Sequence, residues 1–166
     1  AEYAALLGMT DPAPATDYVP APYLFDYQRD IAALAIRKRK FAVFATCGLG
    51  KTAILQEFAR HALGVLPTDR RVLIVSPLMV VGQTRAEAER FYGPSGVHEA
   101  VPAKHLQGWL DGKGSRFGIT NYEAIREGLT PGRLAALIID ESSSLKSAYG
   151  AWGRRLIGLG AGLAWK

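Results

Sequence analysis

Residues 41–55, FAVFATCGLGKTAIL, decide the fold, because an apolar run meets a glycine-rich turn there. The five residues 41–45 are all apolar, which is typical of a strand that is buried on both faces. Beyond the turn, Ile54, Leu55, Phe58 and Leu63 recur at helical spacing. A strand, a tight turn and a helix in this order predict an α/β unit.

The turn GLGKT has the composition of a phosphate-binding loop. Gly48 and Gly50 let the backbone curl so that its N–H groups point inward, and the following helix adds its positive N-terminal end. Lys51 is expected to reach the β and γ phosphates of ATP, and the Thr52 hydroxyl to ligate Mg²⁺. The pattern G-x-x-x-x-G-K-[ST] would place glycine at position 45, where this chain has Ala45.

Apolar strands and amphipathic helices alternate along the rest of the chain. This alternation predicts a mainly parallel sheet with helices on both faces, and ligands that bind beyond the carboxyl ends of the strands. Strands are predicted at 41–45, 71–76, 97–101, 116–120 and 134–140, and helices at 26–40, 52–63, 80–91, 103–110, 122–127 and 152–163.

An acidic pair closes the most apolar of these runs, LAALIID at 134–140. Asp140 is expected to hold Mg²⁺ through a water, and Glu141 to orient and deprotonate an attacking water. Lys51, Asp140 and Glu141 are therefore the predicted catalytic residues. Alternatively, the pair caps a helix that starts at residues 142–144; its occurrence together with the Lys51 turn favours the nucleotide site.

Composition sets limits on the class of protein. The chain has 166 residues, of which 49% are hydrophobic, enough for one domain with a core. Twenty basic and fifteen acidic residues give a net charge of +5, which permits binding to a polyanion without establishing it. With the single cysteine Cys47, no internal disulfide can form, so a reducing, intracellular compartment is expected.

The predicted domain organisation separates a proline-rich extension, residues 1–22, from an ATP-binding domain, residues 23–166. Pro12, Pro14, Pro20 and Pro22 disfavour a long helix in the extension. No apolar run approaches the length of a membrane-spanning helix, and the N-terminus does not resemble a signal peptide. We therefore expect no membrane partner.

Five segments taken together resemble the first RecA-like motor domain of superfamily-two helicases and translocases, in the Swi/Snf-type branch that includes phage and bacterial relatives. They occur in the family's order and span most of the chain from residue 24 to 147. The segments are LFDYQRD at 24–30, CGLGKT at 47–52, LIVSPLMVVGQTRAEAERF at 73–91, ITNYEAIRE at 119–127 and IIDESSSLKS at 138–147.

The resemblance implies a P-loop NTPase fold and roles for the ATP-contacting residues. In the family, the position of Gln28 contacts the adenine. Its Walker A segment has the form MGLGKT, without the early glycine, so Ala45 is usual for the branch. The resemblance places the residues of CGLGKT around the phosphates: Cys47, Gly48, Leu49, Gly50, Lys51 and Thr52.

The resemblance also implies sequence-independent contacts to a nucleic-acid backbone, DNA more than RNA. The implied contacts lie in two loops. The first contains Ser76, Pro77 and Gln83, and the second contains Thr120, Asn121 and Tyr122. Alternatively, these residues form a strand exit and a helix cap, with Thr120 or Asn121 as the N-cap.

The chain departs from the family at Ser142 and Ser143, where alanine and histidine are usual. The family continues past the position of Lys166 into motif III and a second RecA-like domain. We therefore expect an ATP hydrolase that acts as part of a longer protein, and weak hydrolysis by these 166 residues alone. Two alternatives remain: the motor part of a restriction-enzyme subunit, or a non-motor nucleotide-binding interaction module.

Overall fold

Four strands form one parallel sheet in a computed structural model that describes residues 17–45, 48–94, 98–145 and 150–166. The order across the sheet is β2-β3-β1-β4. This confirms the predicted α/β class and the parallel sheet. The strands are β1 (Arg71–Ser76), β2 (Glu99–Ala100), β3 (Phe117–Asn121) and β4 (Leu134–Ile139).

In the part of the chain that the structure describes, five α-helices connect and cover the strands. Within the described residues, no helix combines the length and apolarity needed to cross a bilayer. The helices are α1 (Asp26–Lys38), α2 (Lys51–Val65), α3 (Leu78–Tyr92), α4 (Leu106–Leu110) and α5 (Ala151–Gly160), and single 3₁₀ turns lie at Ala103–His105, Tyr122–Ala124 and Ser142–Leu145.

Both faces of the sheet are buried, as β1 shows most directly. All six of its residues are buried, and alternate side chains point to opposite faces. Leu73 and Val75 pack in a cluster with residues of α4 and α5, whereas Val72 and Ile74 pack in a second cluster with residues of α1 and α2. The predicted arrangement of helices on both faces is therefore confirmed.

The predicted helix at 122–127 is wrong beyond its first turn. Only Tyr122–Ala124 is helical, and this turn is 3₁₀. The Asn121 side chain accepts a hydrogen bond from the Ala124 N–H at 2.9 Å, which starts the turn. Ile125 then leaves helical geometry, with φ −78° and ψ 88°, and is almost fully buried. Burial of Ile125 in the core accounts for the early end of the helix.

The predicted strand at 41–45 is also wrong, since these residues have no strand pairing and Phe44 is 90% exposed. The cause is the position of the chain's last residues. Trp165 forms a parallel bridge with Ala136 of β4, and Lys166 accepts a hydrogen bond from the Phe41 N–H at 2.9 Å. At Phe41, these two residues occupy the hydrogen-bonding positions beside β4, and an apolar run forms a strand only where a neighbouring strand offers hydrogen bonds.

A buried carboxylate on α2 anchors the residues that precede α1. Glu57 is 5% exposed and accepts hydrogen bonds from the Tyr18 hydroxyl at 2.7 Å, the Ala21 N–H at 3.3 Å and the Tyr92 hydroxyl at 2.5 Å. A buried charge requires such partners. Burial and the bond to Glu57 raise the pKa of both tyrosines. The described part of the predicted extension, residues 17–22, thus packs against α2 through Glu57.

We predict that Gly118→Ala lowers the free energy of unfolding by about 1–3 kcal/mol, the usual cost of overpacking a core. A Cβ at this position of β3 would lie 2.7 Å from Cζ2 of Trp109 and 3.1 Å from Cγ2 of Val101. Urea unfolding monitored by circular dichroism measures the effect.

The matched control is Gly82→Ala on the exposed side of α3, where an added Cβ meets no atom within 4 Å. Alanine is the better helix former, so this variant should gain up to about 1 kcal/mol. Equal stability of the two variants would contradict the packing described for β3.

Candidate functional site

The carboxyl ends of β1, β3 and β4 meet at one edge of the sheet. The Asp140 N–H donates to the Val75 carbonyl at 2.8 Å, which carries the β1–β4 pairing one residue past the end of β4. Asp140 therefore lies beside Ser76, although 64 residues separate them in sequence. This edge is the one at which the sequence predicted that ligands bind.

The glycine turn adopts backbone geometry that favours glycine. Gly48 and Gly50 have φ of 85° and 64°, in the left-handed region, and Gly50 is the N-cap of α2. A Cβ on Gly50 would also lie 2.3 Å from Nε2 of Gln28. The left-handed conformation therefore favours glycine at position 50, and a Cβ there would displace the Gln28 amide. Cys47, which the resemblance places in this turn, lies outside the described residues.

Lys51 is the first residue of α2, and its ammonium group reaches back across the turn. Its Nζ donates to the Ala45 carbonyl at 3.0 Å. Thr52 follows as the second residue of α2 and is half-buried. The positive charge of the lysine thus lies at the N-terminal end of a 15-residue helix, where anions are favoured.

A cleft of about 1280 Å³ joins the Lys51 turn to the acidic pair. Lys51, Asp140 and Glu141 all line it, together with mostly apolar residues of the 41–45 segment, β4 and α5. The three residues that the sequence predicted as catalytic therefore share one cleft. Gln28 and Thr52 are not among the residues that line it.

Gln28 is 5% exposed, and both ends of its amide are bonded within the chain. Its Oε1 accepts from the Phe25 N–H at 3.0 Å, and its Nε2 donates to the Leu49 carbonyl at 3.2 Å. The Tyr27 hydroxyl donates to the same carbonyl at 3.2 Å. In this structure Gln28 holds the glycine turn, so a base that contacted its amide would have to replace these bonds.

The Asp140 carboxyl has a raised pKa, chiefly because burial disfavours its charged form. The Ser76 hydroxyl donates to its Oδ2 at 3.0 Å and opposes this rise. The nearby Glu141 carboxylate raises the pKa further, and the charge of Lys51 lowers it. Asp140 is thus a carboxylate whose charge a cation at this edge would stabilise.

Glu141 has an unusual backbone and an exposed side chain. Its φ is 55°, in the left-handed region that residues other than glycine rarely adopt. Its carboxylate accepts a hydrogen bond from the Ser143 hydroxyl. A 3₁₀ turn, Ser142–Leu145, follows directly. The acidic pair therefore precedes a short helical turn, as the alternative interpretation expected, and also lines the cleft.

The two predicted metal ligands, Thr52 and Asp140, both carry oxygen donors, and of the two only Asp140 lines the cleft. Mg²⁺ prefers oxygen ligands and commonly takes one or two from the protein while keeping several waters. The Thr52 hydroxyl and the Asp140 carboxylate are donors of this kind. Across the described ranges, no group of three His, Cys, Asp or Glu residues could hold a metal ion.

Three side chains that the resemblance assigned to nucleic acid face the protein instead. Ser76 is 0% exposed and bonds to Asp140, while Thr120 is 2% exposed and donates to the Val101 carbonyl at 2.7 Å. Tyr122 is 2% exposed. Asn121 accepts the Ala124 N–H, so the expected N-cap is confirmed. These side chains point inward because the ends of β3 and β4 both pair with β1.

The other two assigned residues, Pro77 and Gln83, lie on or next to α3 at the surface. Pro77 is the N-cap of α3, and the exposed Gln83 donates from Nε2 to the Glu87 carboxylate at 3.1 Å. Leu78 and Met79 are also exposed at the start of this helix. This solvent-facing stretch is the part of the assigned loops that a nucleic-acid strand could reach.

One contact of the site had no signal in the sequence. The Tyr122 hydroxyl donates to the Asp140 carbonyl at 2.5 Å and lies 3.3 Å from the Glu141 carbonyl. The contact depends on the order of the strands, since β3 and β4 lie on either side of β1. Nothing in the sequence indicates that the Tyr122 hydroxyl bonds to the carbonyls of the acidic pair.

Comparison with known proteins adds no family to these observations. No protein-family model matches the chain, and no curated protein matches it at a significant level.

We predict that Asp140→Asn, without nucleotide, is more stable than the wild type at pH 7. A raised pKa means that the folded state favours the protonated carboxyl, so the stability from this group is lost as pH rises through the folded pKa. Asparagine stays neutral and can still accept from Ser76. The gain should shrink as pH falls below the ordinary aspartate pKa of about 3.9.

Thermal unfolding at pH 7 and pH 3.5 measures this difference. Asp30→Asn, at an exposed position of α1, controls for the removal of a negative charge from a protein of net charge +5. If Asp140→Asn were stabilised equally at both pH values, burial of the Asp140 charge would not be the cause of the difference.

Proposed function

We propose that this chain is the Mg-ATP-binding, RecA-like P-loop domain of an ATP-dependent DNA helicase or translocase. One observation carries the proposal. Lys51, at the start of a helix behind a glycine turn, and the Asp140–Glu141 pair, 140 − 51 = 89 residues later, line the same cleft. A lysine and an acidic pair at the carboxyl edge of a parallel sheet are the parts that an ATP site requires.

The proposed roles follow from position. The N–H groups of the turn and the first turn of α2 bind the phosphates, and Lys51 exchanges the Ala45 carbonyl for phosphate oxygens. Thr52 and Asp140 would hold Mg²⁺, which neutralises charge on the phosphates when bound. Glu141, exposed at the cleft, orients a water and accepts its proton.

The base is proposed to lie by α1, next to Gln28 and Tyr27. Both side chains bond to the Leu49 carbonyl of the glycine turn. A base that engages the Gln28 amide would therefore also act on the turn that binds the phosphates.

A second candidate is a nucleotide-binding module that performs no mechanical work. The burial of Ser76, Thr120 and Tyr122 favours it, since these three of the six assigned side chains are hidden from the surface. The two candidates share the ATP site and differ in DNA binding, so separate experiments test them.

We predict that Lys51→Ala weakens binding of a non-hydrolysable ATP analogue at least tenfold in the presence of Mg²⁺. A hydrogen bond to a charged group contributes roughly 1.5–3 kcal/mol, which corresponds to about a tenfold to hundredfold change in affinity. Isothermal titration calorimetry of the 166-residue chain measures it.

Lys104→Ala is the matched control, because Lys104 is exposed on the Ala103–His105 turn and does not line the cleft. Its affinity should equal that of the wild type. If the Lys51→Ala variant bound the analogue as tightly as the wild type, the ATP site would be refuted.

For the motor interpretation, we predict sequence-independent DNA binding that weakens steeply as salt rises. Gln83→Glu should weaken it several-fold by placing a negative charge on the exposed start of α3. Fluorescence anisotropy of a labelled oligonucleotide, with magnesium and the ATP analogue present, measures both effects.

Thr68→Glu adds the same charge just ahead of β1, at the opposite edge of the sheet, and should have a smaller effect. Absence of DNA binding at low salt would favour the module that performs no work.

A further inference from the structure

Tyr122 connects one strand end to the acidic pair of another. It follows β3, its side chain is 2% exposed, and its ring lies 6.0 Å from that of Trp152 on α5. Its hydroxyl donates to the Asp140 carbonyl at 2.5 Å and lies 3.3 Å from the Glu141 carbonyl. These bonds connect the ends of β3 and β4, which lie on either side of β1. Tyr122 is thus a buried donor aimed at the main chain of the two predicted catalytic acids.

The backbone that Tyr122 contacts has an unfavourable conformation at Glu141. Arg39 and Glu141 are the residues other than glycine with positive φ in the described ranges, and Glu141 has φ 55°. This geometry is unfavourable for a side chain with a Cβ and persists where surrounding contacts impose it. The Tyr122 hydroxyl is such a contact, because it bonds to the Asp140 and Glu141 carbonyls, which lie before and after the Cα of Glu141.

Ser76 completes the arrangement from the neighbouring strand. It is 0% exposed, and its hydroxyl donates to Oδ2 of Asp140 at 3.0 Å. One hydroxyl therefore fixes the Asp140 side chain and the other fixes its main chain. Together they hold a carboxylate that burial disfavours at the edge of the cleft.

We propose that Tyr122 is a positioning residue of the Mg-ATP site, whose hydroxyl holds the Asp140–Glu141 backbone so that both carboxylates stay at the cleft. This inference rests on the proposed function, because it assigns Asp140 to the metal. Tyr122 touches neither nucleotide nor metal in this assignment and acts through the acidic pair.

The test separates metal-dependent from metal-independent binding. Tyr122→Phe keeps the buried ring and removes the hydroxyl. In the presence of Mg²⁺, the variant should bind a non-hydrolysable ATP analogue about tenfold more weakly than the wild type does. Loss of a group that orients a metal ligand typically has an effect of this size. Affinity in EDTA should stay unchanged, because the hydrogen bonds and ring contact of Tyr122 go to Asp140, Glu141 and Trp152 and not to the described part of the Lys51 turn. If the ratio of the affinity with Mg²⁺ to the affinity in EDTA were the same in Tyr122→Phe as in the wild type, the proposal would be overturned.

Tyr92→Phe is the matched control. It also removes a tyrosine hydroxyl that bonds to a carboxylate, that of Glu57, away from the acidic pair. Its thermal unfolding temperature reports the general cost of such a loss, and its ratio of Mg²⁺ to EDTA affinities should equal that of the wild type. An equal change of ratio in both variants would show a general effect of stability and overturn the proposal.

A second comparison tests the role of the Glu141 backbone. Glu141→Gly and Glu141→Ala both remove the carboxylate, but only glycine adopts φ 55° without strain. Adding Tyr122→Phe should lower the Mg²⁺-dependent affinity less in the glycine background than in the alanine background. Equal losses in the two backgrounds would contradict the idea that the hydroxyl maintains this conformation.

The two proposals fail in different ways. If the wild type does not bind the ATP analogue, or if Lys51→Ala binds it equally well, the ATP site and the role of Tyr122 are both refuted. If the wild type binds and Lys51→Ala does not, while Tyr122→Phe keeps the wild-type ratio, the ATP site stands and the role of Tyr122 is refuted.

Discussion

The parallel pairing of β1 with β4 is the constraint on which the site depends. Val72 to Val75 pair with Ala136 to Ile139, and the Asp140 N–H extends the pairing to the Val75 carbonyl. Hydrogen bonds of this ladder bring the residue after β4 level with Ser76 at the end of β1. The acidic pair therefore reaches the cleft that Lys51 lines. A shift of one residue in this register would turn the β4 side chains to the opposite face and move Asp140 away from Ser76.

Around this pairing, polar groups fix one another rather than facing water. Ser76 holds the Asp140 carboxylate, Tyr122 holds its carbonyl, and Gln28 holds the glycine turn through the Leu49 carbonyl. Buried polar groups require partners, so each bond is needed for stability as well as for position. The same need for hydrogen-bond partners explains why side chains expected at a nucleic-acid surface are buried. Strand ends at the carboxyl edge lie close enough for their hydroxyls to bond across the sheet.

The 41–45 segment shows where pattern and structure diverge. Its five apolar residues have the composition of a buried strand, yet Trp165 pairs with β4 and Lys166 bonds to Phe41. Trp165 is 5% exposed and packs on Phe58 and His61 of α2, which fixes the end of the chain in that position. The residue that accepts from the Phe41 N–H, Lys166, is 125 positions away in sequence, 166 − 41. Local composition contains no information about such a neighbour.

The sequence by itself determined the alternation of elements, the parallel sheet, the bounds of β1 and the glycine turn, because periodicity, apolar runs and glycine's conformational freedom are local properties. It also singled out Lys51, Asp140 and Glu141 as a set, and the structure brings these three residues to one cleft. Tertiary structure alone decided that Ser76, Thr120 and Tyr122 are buried, that the helix after β3 stops after one turn, and that Tyr122 reaches the acidic pair. These outcomes depend on which strands are neighbours, and hydrogen bonds between distant segments set that order.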